Sequence, residues 1–231
     1  MKSLQIMRCI NMRIAGIDEA GRGPVIGPMI ICGVCIQDDK INLLENLKVK
    51  DSKKLSRKRR EEIYKKVLEN DSVEIKKIEV GPEEIDKRYS KSLSLNDLEV
   101  EKMVQIIKDL NPDVVYVDCP DVNIEKVTKI IRDKIKRPIK LIIEHKADVK
   151  YDIVSLASII AKVTRDRLIE KLKKDFGDFG SGYPSDVKTK NYLIDWYKIN
   201  RKWPPIVRKT WKTLRKLEKL FDIKQDTLEK Y

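Results

Sequence analysis

The sequence predicts an α/β protein built on a sheet of mixed direction, and three observations predict it. Short apolar runs come in succession near the start, at 13–17, 28–37 and 73–80. Two more, at 113–118 and 139–143, alternate with helical patterns at 96–110, 123–136 and 152–175. Strands that begin as a meander and then alternate with helices make a mixed sheet. Acids stand at or just past the ends of three of those strands, where an α/β sheet opens its ligand crevice.

Each element has a local reason. Arg13-Ile-Ala-Gly-Ile17 is a buried strand, followed by adjacent acids, Asp18 and Glu19. Neighbouring side chains of a strand face opposite ways, so Asp18 projects from the sheet and Glu19 sits where the chain turns. Gly21 and Gly23 let a backbone come close to a ligand, and Arg22 between them offers a planar fork of donors suited to phosphate. Residues 28–37 pair back as a hairpin. Cys32 and Cys35 fall inside that strand, face opposite ways, and read as buried small hydrophobes. Cys9, Cys119 and the one histidine, His145, show no metal-ligand spacing. Residues 38–40 turn, and Ser56 caps a helix reaching about residue 70. Gly81-Pro82 breaks the third strand.

The helix at 96–110 gathers Leu98, Met103, Ile106, Ile107 and Leu110 on one face. The fourth strand ends in Asp118 and is cut by Pro120. A helix over 123–136 leads to the fifth strand, then to Glu144-His-Lys-Ala-Asp148. The helix at 152–175 is apolar on nearly all sides in its first half, apart from a stripe of Ser155, Ser158, Lys162 and Arg165. Burying an ammonium without a partner is expensive, so Lys162 should face the acids or a phosphate. Asp166 is expected to pair with a cation or cap.

At 231 residues the chain can bury one good core, or one domain and an appendage. Its net charge of +13 favours an anionic partner. The Gly/Pro-rich break at 177–185 marks a shift. Residues 186–231 carry 13 basic and 6 acidic residues and all three tryptophans, Trp196, Trp203 and Trp211. Interleaved tryptophan and positive charge suggest contact with nucleic acid. No stretch is long and apolar enough for a membrane span, 1–11 does not read as a signal peptide, and four cysteines fit a reducing cytoplasm. We expect a cytoplasmic monomer with an N-terminal extension at 1–11, a catalytic domain at 12–180 and a basic helical region at 181–231. A dinucleotide-binding domain is excluded. Gly21-x-Gly23-x-x-x-Gly27 has the wrong spacing, and strand follows it where a helix is required.

Gly16-Ile-Asp-Glu-Ala-Gly-Arg-Gly23, Val117-Asp-Cys-Pro120, His145-Lys-Ala-Asp148 and Ser155-Leu-Ala-Ser-Ile-Ile-Ala-Lys-Val-Thr-Arg-Asp166 resemble the motifs of type 2 ribonuclease H in its archaeal, single-chain form. The resemblance runs from about residue 12 through 183. It implies a ribonuclease H-like five-stranded mixed sheet flanked by helices, with a small C-terminal helical appendage. It also implies an endonuclease that cleaves the RNA strand of RNA–DNA hybrids and nicks duplex DNA 5′ of embedded ribonucleotides, leaving 3′-hydroxyl and 5′-phosphate ends.

The catalytic, metal-ligating set it implies is Asp18, Glu19, Asp118 and Asp148. Four acids at one edge repel unless cations neutralise them. Mg2+ or Mn2+ fits such oxygen ligands, and two ions about 3.5–4 Å apart serve an in-line displacement. The resemblance further implies that Gly21, Arg22 and Gly23 contact the ribonucleotide. Tyr183, in Gly182-Tyr-Pro184, is expected against the next sugar, Lys53 on a phosphate, and Ser158 and Lys162 at the substrate, with His145 structural or positioning. Gln225, Leu228 and Tyr231 resemble a sliding-clamp docking motif, which fits a role in replication. Other readings are a related nuclease such as a resolvase or exonuclease, and a hybrid-binding module without activity.

Overall fold

Strand β1 (Arg13–Ala20) passes through the middle of a five-stranded sheet, in a computed structural model that describes residues 11–50 and 54–219. Its partners are β2 (Met29–Gln37), β3 (Glu74–Val80), β4 (Val114–Asp118) and β5 (Lys140–Glu144), in the order β3-β2-β1-β4-β5. β1 and β4 run parallel with Ile17 opposite Val117, and β4 and β5 run parallel with Asp118 opposite Glu144. Between β1 and β2 stand only residues 21–28, too few for the crossover that a parallel return requires, so this pair is an antiparallel hairpin. The sheet is therefore mixed.

The helices are α1 (Asn42–Leu47), α2 (Arg57–Leu68), α3 (Pro82–Lys87), α4 (Leu95–Leu110), α5 (Ile124–Ile135), α6 (Ala147–Lys150), α7 (Asp152–Phe176), α8 (Val187–Asn200) and α9 (212–219). Their starts follow capping chemistry. The Ser56 hydroxyl accepts from the Arg59 amide, the Asn123 side chain from Lys126, and the Asp186 carboxylate from Lys188. Residues 153–161 of α7 are buried without interruption, as the apolar first half requires. Three short helices, α1, α3 and α6, carry too few turns to show periodicity. One expectation is corrected. β1 extends to Ala20, so Glu19 lies in the strand and the turn begins at Gly21, whose φ is +83°.

Packing groups the residues into two compact units, each drawn from distant stretches. The first comprises the described parts of Met1–Asp18, Cys32–Lys76 and Met103–Ile160. Its core includes Cys32, Val34, Ile63, Met103, Ile106, Val115, Val117, Ile131 and Leu156. The second comprises Glu19–Ile31, Lys77–Lys102 and the described part of Ala161–Tyr231. There Val25, Ile26, Ile169, Phe179, Leu193, Ile206, Val207 and Leu214 form one apolar cluster. This grouping differs from a linear division at 180. Two helices have too little surface for a core of their own, and α8 and α9 bury theirs with residues of the β1–β2 connection and the second half of α7. Ile26 and Val207 even form an antiparallel bridge. Among the described residues no helix is long and apolar enough to cross a membrane.

Candidate active site

In the first unit the acids owe their place to the parallel ladder. With Ile17 opposite Val117, Asp18 and Asp118 stand side by side at the carboxyl ends of adjacent strands, whose spacing is about 4.8 Å. Asp118 Oδ1 accepts the Ala147 amide at 3.0 Å, which ties it to the start of α6. Asp148 is the second residue of that helix. Asp18 is 4% exposed, Asp148 3%, and Asp118 half-buried. These are hard oxygen donors at one sheet edge, chemically suited to a divalent cation such as Mg2+ or Mn2+. Among the described residues, however, no three His, Cys, Asp or Glu side chains are drawn close enough to form a metal-binding group. Glu144 points its chemistry elsewhere, accepting from Lys150 and from the Tyr151 hydroxyl, and these contacts hold its carboxyl below the usual range. His145 is exposed in the turn before α6. Ser158 is buried on α7, and the Ser155 hydroxyl donates to the Val49 carbonyl.

The second unit holds Glu19, half-buried, and the glycine loop that follows it. Buried Arg208 donates to the carbonyls of Gly21 at 2.6 Å, Arg22 at 2.9 Å and Gly27 at 2.9 Å. The Trp211 indole donates to the Gly23 carbonyl at 3.1 Å. Three successive carbonyls are thus turned inward. The described residues include no cis peptide, and in a trans peptide the next N–H points opposite to the carbonyl. The amides of Arg22 and Gly23 therefore face away from Arg208.

Gly21 is a forced choice. A Cβ there would lie 2.2 Å from Arg165 Nε, besides the positive φ. Gly23 has room, its nearest neighbour being the Tyr183 ring at 3.5 Å. Tyr183 is 42% exposed, 5.7 Å from the Arg165 guanidinium, on a loop where Gly182 O accepts from Val25 and Ile26. Gly23 and Tyr183, distant in sequence, are brought together.

Arg22 departs from expectation. Rather than a free fork for phosphate, its guanidinium donates to Asn96 and stands 2.9 Å from the Glu99 carboxylate. The tryptophans also depart. Trp203 and Trp211 pack on the apolar cluster, Trp196 stacks with Phe176 and Tyr192, and the Trp203 indole donates to Glu218. Arg165 is buried and donates to the Pro28 and Ile26 carbonyls, while Lys162 is half-buried on α7. Arg208, Asn96 and Glu99 were not singled out in the sequence. Arg208 looks like one more cation in a basic tail, and Glu99 like a polar residue on a helix. Lys53, the extension up to residue 10, and the Gln225, Leu228 and Tyr231 motif lie outside the described residues.

A mixed five-stranded sheet of order β3-β2-β1-β4-β5 flanked by helices, with acids toward the carboxyl ends of adjacent parallel strands, is of the ribonuclease H-like class. Residues 15–214 match the family model of ribonuclease HII. Over 225 residues the chain is 49% identical to ribonuclease HII of Pyrococcus abyssi, covering 95% of this chain and 97% of that one. Among solved structures, ribonuclease H2 from Pyrococcus horikoshii OT3 matches with a TM-score of 0.84 and 48% identity, over 91% of this chain and 99% of that one. A second match, from the PCNA:RNase HII complex of Archaeoglobus fulgidus, has a TM-score of 0.80 and 44% identity, over 88% and 96% of the two chains. The chain belongs to the ribonuclease HII family, endonucleases that hydrolyse the RNA strand of RNA–DNA hybrids.

Proposed function

We propose that this ribonuclease also nicks duplex DNA on the 5′ side of a single embedded ribonucleotide, leaving a 3′-hydroxyl and a 5′-phosphate. The observation that carries the reading is the inward turn of the Gly21, Arg22 and Gly23 carbonyls onto Arg208 and Trp211. The loop then offers amide donors on its other side, and a 2′-hydroxyl oxygen is an acceptor that deoxyribose lacks. Tyr183 beside Gly23 is a flat surface for the adjoining sugar.

Asp18, Glu19, Asp118 and Asp148 would hold the divalent ions, Mg2+ or Mn2+. Such ions, when bound, activate a water and stabilise the leaving oxygen. Ser158, Lys162 and Lys53 contact the substrate backbone. In the second unit Lys190, Lys212 and Lys216 line a groove with Pro184 and Leu217, suited to phosphates of the duplex. The test is a labelled duplex with one ribonucleotide, incubated with magnesium and then with chelator. A single chelator-sensitive nick 5′ of the ribonucleotide is expected. Intact duplex, or equal cutting of all-DNA duplex, overturns the proposal.

The C-terminal segment docks on a sliding clamp through Gln225, Leu228 and Tyr231. The supporting observations are the motif itself and the Archaeoglobus relative, whose structure is a complex with PCNA. Removing residues 225–231 should abolish clamp binding and leave hybrid cleavage unchanged. Undiminished clamp binding overturns it. The enzyme acts as a monomer in the cytoplasm.

A further inference from the structure

The Arg22 side chain is a tether, and its anchor is a buried acid. Glu99 is fully enclosed in the second unit, with its carboxylate 2.9 Å from Arg22 Nη1. Asn96, three residues earlier on α4, accepts from Nη2. Residues three apart share one helix face, so α4 presents an amide oxygen and a carboxylate together as a socket for one guanidinium. We propose that Glu99, with Asn96, is a positioning residue for ribonucleotide recognition, holding Arg22 inward so that the Gly21–Gly23 backbone keeps its amides toward the substrate. This rests on the reading that the loop contacts the ribonucleotide.

Three features support the assignment. A planar guanidinium hydrogen-bonded to Asn96 through one nitrogen and set against the Glu99 carboxylate at another has less freedom to rotate. Arg208 and Trp211 hold the loop's carbonyls whereas Asn96 and Glu99 hold a side chain, so Arg22 supplies a constraint that they do not. Finally, the charges that act on Glu99 among the described residues are cations. Arg22 comes from the β1–β2 connection, Arg88 from the turn after α3 and Arg208 from the segment before α9. Against those charges, burial still pushes the Glu99 carboxyl up to about 7. Neither of its oxygens has hydrogen-bond geometry to a partner among the described residues, so the ion pair is close but misaligned. The folded value lies above the ordinary one. The carboxylate that grips Arg22 is therefore present above pH 7 and lost as pH falls through it.

The test measures kcat and KM on an RNA–DNA hybrid with magnesium, between about pH 6 and about pH 8.5, together with Tm. Wild-type KM should fall as pH rises through about 7. Glu99→Gln should show a KM about tenfold higher above that point, flat with pH, and a kcat within about twofold. Arg22→Ala should match it, and the double variant should be no worse than Arg22→Ala. A wild-type KM for Glu99→Gln at high pH, or additive losses in the double variant, overturns the proposal.

If Glu99→Gln does not fold, the wild-type profile and Asn96→Ala decide. No transition near 7 in the wild type, or an unchanged KM in Asn96→Ala, overturns it. Gly23→Ala separates the two levels. An unmoved KM there defeats the loop's contact with ribose, whereas a raised KM there beside a wild-type KM in Glu99→Gln defeats only the role of Glu99.

Discussion

The acid edge of the first unit and the glycine loop of the second are built on opposite principles. Asp18 and Asp118 are placed by backbone register, a ladder in which no single side chain is essential. The loop is placed by side chains. Arg208 holds three of its carbonyls, Trp211 a fourth, and Asn96 and Glu99 take its arginine. The first arrangement tolerates change around it and fails only at the acids themselves. The second can be dismantled from residues outside the loop itself.

Breaking the acid edge should give the largest effect. Asp118→Asn keeps an oxygen able to accept the Ala147 amide, so Tm should hold within a few degrees. Loss of the charge proposed to hold a metal ion should cut hybrid cleavage about a thousandfold or more. Cleavage within tenfold of wild type, assayed by product release on a labelled hybrid, would contradict the role assigned to Asp118.

The loop should respond in stability before chemistry. Arg208→Met leaves the Gly21, Arg22 and Gly27 carbonyls without their donor, at a cost of about 3 kcal/mol or more, read as a lower denaturation midpoint. Burial lowers the Arg208 pKa, a sign that its charge is held at some expense. A fully apolar replacement that proved neutral would mean that the carbonyls find water or other donors.

The smallest effect sharpens the contrast within three residues. Gly21→Ala meets Arg165 and a strained φ, and should destabilise by about 1–3 kcal/mol. Gly23→Ala has space, and its Tm should stay near wild type while KM for the hybrid rises. Equal Tm losses in the two would show that backbone conformation at Gly21 is not the deciding constraint.

Much of this was legible in one dimension. The five strands are short β-rich runs bounded by Gly, Pro or acid, and Ser56 and Asn123 announce their helices by capping chemistry. The strand-end acids were readable because strand ends are. Glu19 was misplaced by two residues of strand, since the turn awaits the positive φ of Gly21. The inward Arg22, the packed tryptophans and the pooling of 19–31 with 77–102 and 161–219 were not readable. Nothing in a basic, tryptophan-bearing tail distinguishes a side chain that grips nucleic acid from one that grips its own backbone 186 residues away.

The sequence by itself determined the strands, their polarity of apolar and acidic ends, and a glycine-bearing turn after the first strand. Those are local properties, set by side-chain alternation, capping and sterics within a few residues. Tertiary structure alone decided which carbonyls Arg208 would satisfy and that a buried glutamate would receive Arg22. Such pairings depend on which distant segments share a core, and a buried polar group accepts whatever partner that packing delivers.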